Sequence, residues 1–230
     1  MKLITVSGPP SSGKTSAIIW VLEMLEAKKS AAVVKYDCLS SSDKELYQQH
    51  GIEAIVGLSG NQCPDHFYIS NVEDSVKWAK GKGCEYLVVE SAGLCNRCAP
   101  HLKNCLAVCV IDNLSGINTP HKIGPMLRYA DLVIITKGDI VSQAEREVFS
   151  YKVRQANSRA DIVFLNGITG QGAFDAGQFF REAPELGAGG LYGSRLRFTM
   201  PAALCSYCLG ETRVGETYLK GNVKKMKWEA

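Results

Sequence analysis

Residues 3–15 read LITVSGPPSSGKT, and this stretch decides the architecture of the chain. Leu3 to Val6 is a short apolar run of strand composition, and Gly8-Pro9-Pro10-Ser11-Ser12-Gly13-Lys14-Thr15 fits the pattern G-x-x-x-x-G-K-[ST]. A segment of helical composition, Lys14 to Lys28, follows at once, with Trp20, Leu22 and Leu25 spaced as a core-facing stripe. Strand, glycine loop and helix in that order form the setting that a phosphate-binding loop needs. Glycines let backbone amides turn inward, and the helix N-terminus adds positive potential. Gly8, Ser11, Ser12, Gly13 and Ser16 would line the phosphates of a nucleoside triphosphate, Lys14 would reach its terminal phosphates, and Thr15 would ligate magnesium.

Working outward, six further strand-like runs appear at Ala32 to Tyr36, Glu53 to Gly57, Tyr86 to Glu90, Ala107 to Asp112, Leu132 to Thr136 and Ile162 to Asn166. All are apolar on both faces, as strands buried between two helical layers must be. Helical segments at Ser42 to His50, Val72 to Lys80 and Ser142 to Asn157 alternate with them, and Ser42 is a candidate N-cap. The pattern predicts an α/β fold: a doubly wound, mostly parallel sheet with helices on both faces, the P-loop NTPase architecture. The alternation stops near Asp175. We therefore divide the chain into a nucleotide-binding domain, residues 1–175, and a small C-terminal appendage, residues 176–230. The appendage holds a glycine-rich Gly187 to Gly193, a strand-like Arg195 to Thr199, a Cys-x2-Cys pair and a basic end, Val223 to Trp228, read as solvated.

With 230 residues, 46% hydrophobic and 21% charged, the chain has ample material for a core, so disorder and fibre are excluded. A formal net charge of +3 gives no strong basic field, so nucleic acid is not expected as a partner. No apolar run approaches the roughly 20 residues of a membrane span. The nine cysteines come without a secretory signal, which points to the cytoplasm and to reduced thiols.

Magnesium needs further oxygen ligands, and the carboxyl ends of strands beside the phosphate loop are where an open α/β sheet supplies them. Asp37 ends one apolar run and Glu90 another, so both are candidate magnesium ligands and catalytic residues together with Lys14. Thr136-Lys137-Gly138-Asp139 follows an apolar strand and resembles the N-K-x-D signature that reads guanine. One carboxylate, Asp139, can accept both adjacent N–H groups of guanine, and adenine offers no such pair, which favours GTP. Asn166 and Gly167 lie in LNGITGQG, which resembles the loop that closes over the base.

Cysteine and histidine are clustered. Cys63 and His66 form C-x2-H, and Cys95, Cys98, His101 and Cys105 form C-x2-C-x2-H-x3-C in the loop after Glu90. Thiolates two residues apart can bend back onto one soft ion, and imidazole completes a preference for zinc, nickel or an iron centre. Cys63, His66, Cys95 and Cys98 are the ligand candidates, His101 and Cys105 weaker ones. Cys38, Cys84 and Cys109, in or beside apolar strands, read as small packed hydrophobes. Cys205 and Cys208 supply half of a tetrahedral site, completed either across a symmetric dimer, as for zinc or an iron-sulfur cluster, or by Cys95 and Cys98 of the same chain; a redox dithiol is the third reading.

The ordered set GPPSSGKTS, VVKYDCLSSSD, GLSGNQCPDH, VVESAGLCNRC, TPHKIGPMLRYADLVIITKGD and LNGITGQG resembles the SIMIBI-class GTPases that mature nickel enzymes, the HypB and UreG family with its CobW relatives. The resemblance spans roughly residues 2–175. It implies a GTP- and magnesium-dependent switch that dimerises, hands over a transition metal or assembles a metallocofactor, and serves a client metalloenzyme or maturation protein. Three departures are visible: the family's adjacent Cys-His is spread into Cys63-Pro64-Asp65-His66, the later cysteine falls at Cys95 and Cys98 instead of one fixed place, and Thr136 stands where the base-reading motif has Asn. Two rival readings remain: an ATP-dependent small-molecule kinase, with the arginines between Arg146 and Arg159 as its lid, and a nucleotide-gated metal or redox sensor without significant turnover.

Overall fold

The computed structural model describes residues 1–95, 98, 101–198 and 209–228. Seven strands, β1 (Lys2–Ser7), β2 (Ala31–Asp37), β3 (Glu53–Leu58), β4 (Tyr86–Ser91), β5 (Leu106–Asp112), β6 (Leu132–Thr136) and β7 (Asp161–Leu165), form one sheet in the order β3-β2-β4-β1-β5-β6-β7. Every pairing is parallel. The chain starts at the centre, builds one wing through β2, β3 and β4, then crosses to build the other. Strand order reverses about β1, so the crevice at its carboxyl end is where such sheets bind ligands.

The uniform apolarity of the strands is resolved by their two-residue period. Ile4, Val6, Val33, Val88, Val108 and Ile134 face α1 (Lys14–Met24) and α7 (Ala173–Glu182) in one core. Their neighbours Leu3, Val34, Leu87 and Val89 face α3 (Pro64–Gly81), while Cys109, Ile111, Val133 and Ile135 face α5 (Pro125–Arg128) and α6 (Gln143–Ala156). Helices therefore cover both faces. Two elements remain: α2 (Asp43–Gln49), which leads from β2 to β3, and the short α4 (Thr119–Lys122).

Helix limits depart from expectation where local chemistry intervenes. α3 begins at Pro64, eight residues before the periodic run starting at Val72, because a proline lacking N–H suits the first turn. α1 stops at Met24, with Glu26 in a left-handed conformation (φ 55°). Ser42 makes no side-chain cap on α2, whereas Ser142 forms a full capping box with Glu145 at α6. Arg195 and Leu196 form isolated bridges to Arg213 and Leu102 instead of a strand, and Thr199 lies outside the described residues.

The basic end is docked. Trp228 lies 6.0 Å from Trp78 between ring centres, Met226 N–H donates to Asn71 Oδ1 at 2.7 Å, and Lys224 Nζ donates to the carbonyls of Leu58 and Ser59. Alternate apolar residues of Met226 to Trp228 give that run a packing face that its lysines mask in the sequence.

His101 is a core residue. Its ring meets Thr5 Oγ1 at 2.9 Å through Nδ1, and Ser7 Oγ at 3.0 Å and the Met126 carbonyl at 3.2 Å through Nε2. Burial, reinforced by Arg197, lowers its pKa from 6.5 to about 4. Folding thus favours the neutral ring, so its stability contribution is intact above the unfolded pKa of 6.5 and is lost as pH falls toward 4. Urea unfolding followed from pH 7 to pH 4 should show a loss on the order of 3 kcal/mol from this group. His101→Gln should flatten that part of the profile, and the difference between the two profiles isolates His101 from carboxylates that titrate in the same interval.

Candidate functional site

The carboxyl ends of β1, β2, β4, β6 and β7 bring the phosphate loop, Asp37, Glu90, Lys137, Asp139, Asn166 and Gly167 to one edge of the sheet. Gly8 (φ 147°) leaves β1 so close to β5 that an added Cβ would sit 2.0 Å from the Val110 carbonyl oxygen. Ser11 (φ 60°) and Gly13 (φ 86°) complete the turn into α1. Lys14, 6% exposed, folds over the loop and donates to the carbonyls of Gly8 (3.0 Å) and Pro9 (2.8 Å). Burial lowers its pKa, and Glu90 opposes that shift. The hydroxyl oxygens of Ser12 and Ser91 are buried without a hydrogen-bond partner among the described residues. A polar atom so placed is available to an oxygen-rich ligand.

Thr15, Asp37 and Glu90 stand together, but with company that the motifs did not announce. Thr15 Oγ1 donates to both Glu90 oxygens, at 3.0 and 3.2 Å, and Tyr47 donates its hydroxyl to Glu90 Oε2 at 2.7 Å. Lys35 Nζ lies 3.3 Å from Glu90 Oε1 and 3.7 Å from Asp37 Oδ2, and is also bonded to Asp43. Oxygen donors suit a hard divalent ion, so Thr15, Glu90, Asp37 and Asp43 fit magnesium chemistry.

Three contacts tie residues 136–137 and the 166–172 loop to the phosphate loop and the helix that follows it. Thr136 Oγ1 donates to the Ser12 carbonyl at 2.6 Å, Lys137 Nζ to the Ser11 carbonyl at 2.8 Å, and Trp20 Nε1 to the Gly167 carbonyl at 2.9 Å. Trp20 is therefore more than a member of a core stripe, since its indole N–H anchors the 166–172 loop. Asn166 closes that loop by accepting from the N–H groups of Ile168 and Thr169 through Oδ1. Asp139, exposed, lines a cleft of about 590 Å³ with Gly138, Arg146, Phe164 and Asn166.

The thiol candidates divide. Among the described residues, Asp65, Cys95 and Cys98 are the one group of three whose ligand atoms all lie within 4.8 Å of one another. Cys98 is buried, which raises its pKa, and Asp65, Cys95 and Cys63 raise it further by their charge. Burial also pushes Asp65 up to about 7. His66 does not join this group. Because α3 starts at Pro64, Cys63 stands at its N-cap position without a side-chain cap while His66 lies in its first turn, and His66 Nε2 meets Glu211 Oε1 at 2.7 Å with both side chains buried. Cys205 and Cys208 lie outside the described residues, as do Asn96, Arg97, Ala99 and Pro100. Cys105 and Cys109 are buried and Cys38 and Cys84 half-buried.

Sequence reading missed Lys35, Asp43, Tyr47 and Asp65. Lys35 lies within the otherwise apolar run Ala32 to Tyr36, and Asp65 lies inside the Cys63 to His66 motif. A signal was present for each: a lysine in an otherwise apolar central strand needs a buried acid partner, and an Asp directly after a proline at a helix start belongs to the first turn.

The chain is 46% identical over 227 residues to the uncharacterized protein MJ0120 of Methanocaldococcus jannaschii, covering 98% of this chain and 96% of that protein. Its fold is similar to that of the hydrogenase maturation factor HypB from Archaeoglobus fulgidus, with a TM-score of 0.59 and 21% identity over 79% of this chain and 89% of that one. It is also similar to HypB from Helicobacter pylori, solved in complex with nickel, with a TM-score of 0.64 and 20% identity over 79% and 86% of the two chains. No helix among the described residues is long and apolar enough to cross a membrane. A sequence model of the nucleotide-binding domain of CobW, HypB and UreG matches residues 2–164, and the chain belongs to that family.

Proposed function

We propose that this chain is a slow GTPase that acts as a metallochaperone or metalloenzyme-maturation factor, coupling nucleotide state to a thiol-based metal site. The observation that carries the reading is the path of the segment from Glu90 to Cys95. It starts at a carboxylate bonded to Thr15, presses Gly93 (φ 73°) so tightly on the phosphate loop that an added Cβ would sit 1.7 Å from the Gly8 carbonyl oxygen, and ends two residues later at the thiol cluster. In this reading a shift of the phosphate loop is passed through Gly93 to Cys95.

In this reading the amides of Gly8 to Ser16 cradle the phosphates, and Lys14 releases the Gly8 and Pro9 carbonyls to neutralise the terminal ones. Thr15, Asp37 and Glu90 would hold magnesium, which would supply charge stabilisation for phosphoryl transfer. Lys137 stiffens the loop through Ser11, while Asp139 accepts from guanine in the cleft that Asn166 and Gly167 border. Hydrolysis resets the switch, and such chemistry is slow until a partner completes the site. The exposed side chains of Leu39, Leu58 and Leu94 lie on loops or strand ends at this same edge, which supports a second copy or a client docking there. The cytoplasm, where thiols stay reduced, is the matching compartment.

The cargo site consists of Asp65, Cys95 and Cys98, with Cys63 beside them; His66 is a structural partner of Glu211. Mixed sulfur and oxygen ligands suit nickel or zinc, and an iron-sulfur cluster would ask for a further thiol such as Cys205 or Cys208. Of the arginines that a kinase lid would use, Arg159 precedes β7, at the end of the sheet opposite the phosphate loop, while Arg146 lines the cleft beside Asp139. The sensor reading stands or falls with turnover.

Lys14→Ala should weaken binding of a fluorescent GTP analogue by roughly 10- to 100-fold, the value of a charge-assisted hydrogen bond set. Unchanged affinity would remove the nucleotide reading altogether, and tighter ATP than GTP binding would reassign the base cleft.

Elemental analysis of protein purified without oxygen should find about one nickel or zinc per chain in the wild type. Cys95→Ser and Cys98→Ser should lose most of that metal, and His66→Gln should keep it. Retention of full metal by both cysteine variants would refute the assignment. Visible absorption near 400 nm that disappears on the same substitutions would assign a cluster instead.

A further inference from the structure

Lys35 is buried on β2, an interior strand of the parallel sheet, a place that charged side chains avoid unless paired. It pairs in register with Glu90 on β4, so both side chains rise from the same face of the sheet. Asp37 lies two residues along the same strand and shares that face, and Asp43 opens α2 above it. The ammonium is thus surrounded by three carboxylates, at 3.3 Å for Glu90, 3.7 Å for Asp37 and in direct contact with Asp43. An ammonium held among three carboxylates is the arrangement in which a buried lysine keeps its charge. These carboxylates do not close into a ligand cage: among the described residues only Asp65, Cys95 and Cys98 converge within 4.8 Å. They are splayed around an ammonium.

We infer that Lys35 is an internal competitor for the divalent cation, holding Asp37, Asp43 and Glu90 apart so that the cation binds tightly only when nucleotide phosphates supply the missing ligands. The inference rests on the proposed role of Thr15, Asp37 and Glu90 at the magnesium. Its physical basis is charge. Three carboxylates around one cation-sized space would trap a divalent ion by themselves, and one ammonium within 4 Å of each cancels much of that attraction. A switch that should respond to the nucleotide, and not to free magnesium, needs such a brake. Lys35 acts through the carboxylates and is a positioning residue.

Free Mn²⁺, counted by its electron paramagnetic resonance signal, tests this directly. Without nucleotide, Lys35→Met should bind Mn²⁺ at least about tenfold more tightly than wild type, and Lys35→Arg, which keeps the charge, should match wild type. With GTP present the two affinities should draw together. Lys35→Gln serves the same purpose should the methionine variant fold poorly, as judged by circular dichroism. On the wild type itself, the Lys35 side-chain carbon resonance, assigned from its absence in Lys35→Arg, should move when magnesium and GTP are added together and stay put when magnesium is added alone. Equal Mn²⁺ affinity in folded Lys35→Met and wild type, alongside normal uptake with GTP, would overturn this inference only. No Mn²⁺ uptake by any form, even with GTP, would overturn the cation site and the inference with it.

Discussion

Everything at the functional edge depends on the satisfaction of one buried carboxylate, Glu90. A carboxylate 1% exposed is tolerable only if its oxygens receive hydrogen bonds and its charge is met. Thr15 from α1, Tyr47 from α2 and Lys35 from β2 answer that demand, so a single side chain binds the first helix, the second helix and a neighbouring strand to β4. The phosphate loop owes its position to this arrangement as much as to its own glycines, because Thr15 follows Lys14 directly.

The same strand carries the consequences outward. β4 ends at Ser91, Gly93 packs on the Gly8 carbonyl, and Cys95 enters the thiol group with Asp65 and Cys98. His101, three residues past Cys98, returns to hydrogen-bond Thr5 and Ser7 on β1. The loop between β4 and β5 is therefore held to β1 and the start of the phosphate loop at two points, before Cys95 and after Cys98. Close-packed contacts of this kind transmit displacement and do not absorb it.

α3 and the C-terminal residues form the third side of the thiol group. Asp65 points into it while His66, one residue on, turns away to Glu211, which also accepts from the backbone N–H groups of Leu209 and Lys220. Adjacent residues on a helix point about 100° apart, so one of the pair faces the cysteines and the other the tail. The Cys-x2-His spacing reads as one ligand pair, yet the helix start at Pro64 sends His66 to Glu211, away from the group of Asp65, Cys95 and Cys98.

Much of this was legible in the amino-acid order alone. Strand limits came out within one or two residues, because parallel strands buried on both faces are unbroken apolar runs between glycine and helix signals. The glycine loop, Asp37, Glu90 and the TKGD segment stand out as candidates because each is a local pattern at a strand end, and the fold brings them to one edge of the sheet. The partners of Glu90, the convergence of Asp65 with Cys95 and Cys98, the burial of His101 and the docking of Trp228 did not. Each joins residues between 30 and 150 positions apart across strands or layers, and which of several polar side chains meets another there is decided by register, helix rotation and packing, none of which leaves a local pattern.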